Sequence, residues 1–400
     1  MRESYFFLSL PRHDADFTST PWQLAKELAT RNLVFFMDHP FTFWEALKKV
    51  SSASIRWRWR AYFGQDCMLK EGVMVISAPF VWPVNFLPRG ILYRSFKKWN
   101  EKILARRINR VANRFSVGRW IYVNSFNFYF NGVQSYLQQA VGLNIYHCID
   151  PIIKPYSLRH GRYLEPEAAQ RADLVVSTAP VLSQRFIREG INENSFLIPN
   201  AANVKLFAER GEEIHHSLQG ITGKVMGYLG SIERRIDYPM LLQVLAMLPD
   251  WSLVMAGPVD WTYVPAGVRQ HPRIHFIGPV PHKEAPSVIR KFDVALIPFL
   301  QDEVSAGIYP LKLFEYLAAG KPVVSTNFNP EVLEELKNVV QTASSAMDFA
   351  NACNLQYHTN SQQQAHQRLM VAEKNTWAHR AAQWEALMNG FVKQKENVAA

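Results

Sequence analysis

The chain has 400 residues, of which 48% are hydrophobic and 13% aromatic, enough to fill ordinary cores in at least two domains and too much for a disordered chain. Three widely spaced cysteines, Cys67, Cys148 and Cys353, with no CxxC pair, suggest neither a disulfide framework nor a zinc site and suit a reducing cytoplasm. The opening MRESYFFLSLPRHD is too poor in apolar residues for a signal peptide, and the longest apolar stretch, 73–87, is broken by Pro79, Pro83 and Asn85, short of the ~20 residues of a membrane span.

In chain order, the first half predicts short apolar strands: YFFLSL from Tyr5, LVFFMD from Leu33, VMVISA from Val73, WIYVNS from Trp120, NIYHCI from Asn144, LVVSTA from Leu174 and SFLIPN from Ser195. Helical patterns such as PWQLAKELATR and PVLSQRFIREG separate most of them, which predicts a mainly parallel sheet covered by helices. Within this half, residues 51–120 hold fourteen basic and three acidic residues, net +11, out of a formal +10 for the whole chain. IRWRWRAYF alternates Arg with Trp, and FKKWNEKILARRINRVANRF reads as a basic helix with an apolar stripe through Ile103, Ile108, Val111 and Phe115. An anionic membrane surface is the partner this pattern suits, ahead of nucleic acid, which we do not expect; a solvated helix face with a structural Trp pair is the competing reading.

A polar stretch, 203–223, predicts a linker, and the second half restarts the rhythm with KVMGYLG, WSLVMAG, RIHFIGPV, FDVALIPF and KPVVST before an amphipathic tail helix, TWAHRAAQWEALMNGF. The expected organisation is 1–200 as an N-terminal domain, 201–376 as a C-terminal domain, and 377–400 as a helix packing back on the first. Two Rossmann-like domains facing across a cleft is the simplest α/β architecture.

The sharpest local signal is YPLKLFEYLAAGKPVVST. Pro310 suits the first helical position, Gly320 the left-handed residue past the end, and Pro322 opens a β-branched run. With FDVALIPF before it, this is a βαβ unit, whose ligands bind at the carboxyl ends of the strands. A helix starting after Ser305, Ala306 and Gly307 predicts a diphosphate site at its free NH groups. Glu315, one turn in and on the border of the apolar face, either receives ribose hydroxyls or pairs with Lys312 three residues earlier.

Several spaced elements in a fixed order, YHCID, RADLVVSTAPVLSQRF, LIPNAANVKLF, VMGYLGSIERRIDYPML, PDWSLVMAGP, RIHFIGPVP, FDVALIPF and the stretch above, resemble the GT-B glycosyltransferases, and within them the large retaining family four. The resemblance covers 146–326, with a weaker match at the tail helix, and implies transfer of a sugar from a nucleoside-diphosphate sugar to a glycan or lipid-linked acceptor of bacterial envelope polysaccharide. It implies that Glu315 holds the donor ribose. The first glutamate of that motif falls at Gly307, so backbone NH groups of Gly307, Ile308 and Tyr309 are expected to contact the donor there. Gly230 is expected to make room for the diphosphate, Arg235 in preference to Arg234 to neutralise it together with Lys312, and the backbone at Ile277 and Val280 to meet the base. His147 and Asp150 are the candidate catalytic residues of the first domain, His147 being otherwise a core histidine and Asp150 a turn cap; Asp38 and His39 are the candidate acceptor contacts. No cofactor and no metal are expected, the DAD string at Asp14 and Asp16 being misplaced for a metal motif. An epimerase or hydrolase on the same scaffold, or a degenerate scaffold that only binds membranes, is the alternative. Residence in the cytoplasm, peripheral at the inner leaflet, follows from that reading.

Overall fold

The computed structural model describes residues 3–15, 19–209, 211 and 213–399. The chain forms two compact units, one of Met1–Pro199 with Arg380–Ala400 and the other of Asn200–His379. Among the described residues no helix is long and apolar enough to cross a membrane.

The first unit is built on eight strands: β1 (Ser4–Ser9), β2 (Leu33–Asp38), β3 (Cys67–Lys70), β4 (Val73–Ile76), β5 (Arg119–Ser125), β6 (Ala140–Cys148), β7 (Leu174–Ser177) and β8 (Ser195–Leu197). Their order is β3-β4-β2-β1-β5-β6-β7-β8. All neighbours are parallel except β3 and β4. All seven strands predicted for this half are present, and β3 is added. It hairpins onto β4 through Glu71 and Gly72, both with positive φ (48° and 82°), the turn that suits the twist of paired strands. The dipeptide Glu-Gly between two apolar runs was the available signal, obscured because a glutamate rarely takes that conformation.

Phe6, Phe35, Trp120 and Tyr122 pack in one core cluster with Leu104, Ala105, Ile108 and Val111 of the helix Ile91–Arg114. The expected apolar stripe is therefore core packing for Ile108 and Val111, while Ile91, Leu92 and Trp99 of the same 24-residue helix are exposed. Of the cations in 51–120, Arg58, Lys97 and Arg107 are buried. The tail helix, Trp377–Ala399, enters this unit at Arg380, where Trp384 is fully buried and Glu385 accepts from Asn32 Nδ2 at 2.7 Å.

The second unit holds a fully parallel sheet of β9 (Lys224–Leu229), β10 (Trp251–Ala256), β11 (Ile274–Gly278), β12 (Val294–Ile297), β13 (Val323–Thr326) and β14 (Val340–Ala343), ordered β11-β10-β9-β12-β13-β14. Near-continuous Val, Leu, Ile and Met runs in the central strands reflect burial on both faces. The order reverses at β9 and β12, the switch point where ligands bind in such sheets. The five predicted strands are present; β14, VQTA, was missed because one exposed and one half-buried residue interrupt its apolar pattern. The expected linker is structured in part: the helix Val204–Ala208 buries Val204 and Phe207 within this unit.

Candidate functional site

At the switch point, β9, β10 and β11 each end on or just before a glycine with positive φ: Gly230 (141°), Gly257 (138°) and Gly278 (76°). The loops are drawn together by backbone bonds, Gly230 N to Ala256 O at 2.8 Å and Gly257 N to Gly278 O at 2.7 Å. A Cβ on Gly257 would lie 2.1 Å from Gly230 O, and one on Gly230 would lie 2.7 Å from Lys312 Nζ. Backbone excludes a side chain at Gly257, and the positive φ at all three positions favours glycine, so their rim is bare backbone.

Lys312 reaches this rim from the helix Leu311–Ala318, which Pro310 caps and Gly320 (φ 68°) follows. Its ammonium donates to Tyr228 Oη at 2.9 Å and lies 4.4 Å from the Tyr228 ring centre and 4.9 Å from that of Phe299. Burial pushes the Tyr228 phenol up, so it keeps its proton and donates to Ser231 O at 2.9 Å while accepting from Lys312. Tyr316 Oη accepts from Leu229 N at 2.7 Å and fixes the helix to the end of β9. Arg235 joins from the loop after β9, its guanidinium 5.8 Å from the Phe299 ring and its Nε donating to Glu233. Arg234 Nε is buried and meets no acceptor among the described residues.

Glu315 is 8% exposed and lies 3.3 Å from His282 Nε2. Its side-chain neighbour is thus His282, while Lys312 turns to Tyr228 and the strand ends. His282 and Tyr228 are site residues that the sequence did not single out. His282 follows the β11 loop by only a few residues, which was the available hint.

The segment before the helix departs from expectation. Gly307 N donates to Val304 O at 3.1 Å and Ile308 N to Ser305 O at 3.0 Å, closing turns at the end of the short helix Glu303–Ala306. Two of the three NH groups expected to meet the donor are thus already engaged. The segment is held by amides: Asn329 Nδ2 donates to Ala306 O and Ile308 O at 3.0 and 3.1 Å, and Asn200 Nδ2 to Tyr309 O at 2.6 Å. Ile277 and Val280 flank Gly278 and are half-buried.

In the first unit the candidate residues are more enclosed. Asp38, the last residue of β2, is 1% exposed: Oδ1 accepts from His13 N at 2.8 Å, and Oδ2 lies 2.7 Å from His13 Nδ1 and 2.5 Å from Arg58 Nη2. Arg58 Nη1 also meets Asp14 Oδ2 at 2.8 Å. Burial works to raise the Asp14 pKa, but Arg58 and Ser54 outweigh it and hold the carboxyl at about 2. His13, Asp14 and Asp38 each bring a possible ligand atom within 4.8 Å of the others, with Arg58 neutralising both carboxylates; Asp16 lies outside the described residues. Asp38 is thus committed to a buried ion network, which does not fit its expected contact with an acceptor. His39 Nδ1 is 3.2 Å from Asn127 Oδ1, and burial lowers its pKa to about 4.

His147, near the end of β6, is 2% exposed, with Nδ1 2.9 Å from Ser125 Oγ and its ring edge-on to Trp384 of the tail helix. Burial lowers its pKa to about 3, so it is a neutral packing histidine and not an accessible acid or base. Asp150, three residues on, is exposed.

Residues 223–357 match the family model described as glycosyl transferases group 1. A putative teichuronic acid biosynthesis glycosyltransferase, TuaH, of Bacillus subtilis (strain 168) is 29% identical over 228 residues, which span 52% of this chain and 57% of that relative. Sucrose-phosphate synthase from Thermosynechococcus elongatus superimposes with a TM-score of 0.67 at 15% identity, covering 98% of this chain and all of that one. HepE from Anabaena, solved with UDP and glucose, gives 0.64 at 15% identity, covering 97% of this chain and all of that one. The chain has the GT-B fold, two α/β units with a C-terminal helix.

Proposed function

We propose that the protein is a retaining glycosyltransferase that moves a sugar from a nucleoside-diphosphate sugar to a glycan or lipid-linked acceptor of bacterial envelope polysaccharide. The observation that carries this reading is the bare backbone rim at Gly230, Gly257 and Gly278, which Lys312 reaches, with Arg235 against the Phe299 ring that Lys312 also meets and Glu315 three residues along the Lys312 helix. The matching family model spans that rim and these residues, and the name of the B. subtilis relative points to the envelope.

In this reading the base lies along the half-buried residues Ile277 and Val280, and the ribose hydroxyls donate to Glu315, whose orientation His282 fixes. The diphosphate lies over the strand ends, where no Cβ blocks it. Its charge grows as the bond from the anomeric carbon to the diphosphate oxygen breaks, and Lys312 and Arg235 stabilise it at that moment. With the same sugar face used for departure and attack, the departing oxygen takes the acceptor proton, so no strong protein base is required. That suits the burial of His147 and leaves Asp150 as the candidate contact to sugar or acceptor. Two cations at the diphosphate also make a metal unnecessary: activity unchanged by a chelator is expected, and strict dependence on an added divalent ion would overturn this part. Nucleotide sugars and lipid-linked acceptors meet at the cytoplasmic side of the inner membrane, where we place the protein.

The test is thermal stability of the wild type and Glu315→Ala against UDP, GDP and ADP, with the monophosphates as controls. A ligand at 100 times its dissociation constant adds ~2.7 kcal/mol to the native state. A shift with one diphosphate that is lost in the variant supports the reading; no shift with any of them sinks it.

A further inference from the structure

The first unit carries a surface that the donor site does not use. The helix Phe43–Lys48, the turn Ala61–Phe63 and the stretch 82–92 leave large apolar side chains in water, among them Trp44 (59% exposed), Leu47, Phe63 (87%), Trp82, Phe86 (62%) and Ile91 (76%). Ring contacts join the three segments: Phe43 lies 6.4 Å from Trp82 and 6.3 Å from Trp59, and Trp59 5.8 Å from Tyr62. Their footing is firm, because Phe41, Ala46, Ile55 and Phe80 form a buried cluster beneath them. Asn100 clasps Trp82 through both its NH and its carbonyl, at 3.0 and 2.9 Å.

The charge of this face is equally one-sided. Residues 43–114 contain four carboxylates, and each is engaged: Glu45 in a capping box with Thr42, Asp66 with Arg114 at 3.0 Å, Glu71 with Lys26 at 2.8 Å and Glu101 with Lys97 at 2.5 Å. Lys48, Lys49, Arg56, Arg60 and Arg94 are exposed and have no carboxylate partner among the described residues.

We propose that this face docks on a bilayer of anionic lipid, its aromatic and aliphatic side chains entering the boundary of the acyl region and its cations lying at the headgroups. Monomers rarely leave so many large apolar side chains together in water, and the same patch bears unbalanced positive charge; an anionic bilayer answers both. Phosphates of a nucleic acid would satisfy the cations but leave projecting side chains such as Phe63 and Ile91 in water. The contact includes residues 43–50, outside the basic segment, and excludes the apolar stripe of Ile91–Arg114, whose Ile108 and Val111 are core. It deepens the function proposed above, resting on it for purpose by naming where a lipid-linked acceptor would be met.

The test is sedimentation of the full chain with phosphatidylcholine vesicles, with and without phosphatidylglycerol. Binding is expected only with phosphatidylglycerol and should weaken with salt. Lys48→Gln with Lys49→Gln and Arg60→Gln should lower partitioning on the order of 100-fold. Trp44→Ser with Phe63→Ser and Phe86→Ser should lower it at least as much. All six side chains are exposed, and the nucleotide-induced thermal shift, read separately, reports on the donor site. A lost nucleotide shift with intact vesicle binding would count against the donor reading alone. No sedimentation, equal binding to both vesicle types, or an apolar variant that binds like the wild type would overturn the docking surface. Duplex DNA binding that fails only in the charge variant, without vesicle binding, would give the face to nucleic acid instead.

Discussion

At the carboxyl ends of β1 and β2 the polar side chains His13, Asp14, Asp38 and Arg58 satisfy one another in an enclosed network, whereas at those of β9 and β12 the cations lean on ring faces around a glycine rim. Both places carry the residue types that chemistry uses, on the same kind of sheet. The difference is in the kind of contact that holds them. Asp38 has three donors of its own and none of its charge remains to be answered. Lys312 donates to a phenol and lies against two π faces, contacts that hold its ammonium beside the glycine rim.

The contrast can be broken most forcefully at Arg58, which is fully buried. Arg58→Met removes the cation shared by Asp14 and Asp38 and should cost about 3–5 kcal/mol of stability in denaturant unfolding of the first unit, with nucleotide binding by the folded protein unchanged. A cost below ~1 kcal/mol would mean that the network is not what holds these strand ends. Lys312→Met should do the reverse: little loss of stability, but weaker diphosphate binding by about 1.5–3 kcal/mol and a smaller preference for diphosphate over monophosphate in titration calorimetry. Equal losses for both ligands would place Lys312 on the nucleoside instead.

A third effect is one of pH, and it sharpens the contrast from the side of His147. Its folded pKa of about 3 lies below the unfolded value near 6.5, so in that window the unfolded chain binds the extra proton. Stability contributed by the neutral ring is present above pH ~6.5 and is lost as pH falls toward 3, at up to about 1.4 kcal/mol per pH unit. His147→Gln should flatten the acid limb of the unfolding profile; an unchanged limb would show that the ring is hydrated in the native state.

Much of this was legible in the letters. Twelve of the fourteen strands carry apolar runs bounded by turn residues, and Pro310, Gly320 and Glu315 announced the helix at the switch point. The edge strands β3 and β14 were not, because an edge needs less burial and so a weaker pattern. The pairing of Glu315 with His282 was also hidden, since the two residues are 33 apart and meet only when β11 and the helix flank the same strand ends.

The sequence by itself determined the βα rhythm, the restart at Lys224 and the place of the bare strand ends, because periodicity, capping and glycine act over a few residues. Only the tertiary structure decided which charged side chains were spent on one another. Asp38 and His147 read as site residues from their positions at strand ends, but Arg58, twenty residues away from the first, and Trp384, far along the chain from the second, close over them. Burial and hydrogen bonding are settled by what the rest of the fold brings alongside, and no local pattern carries that information.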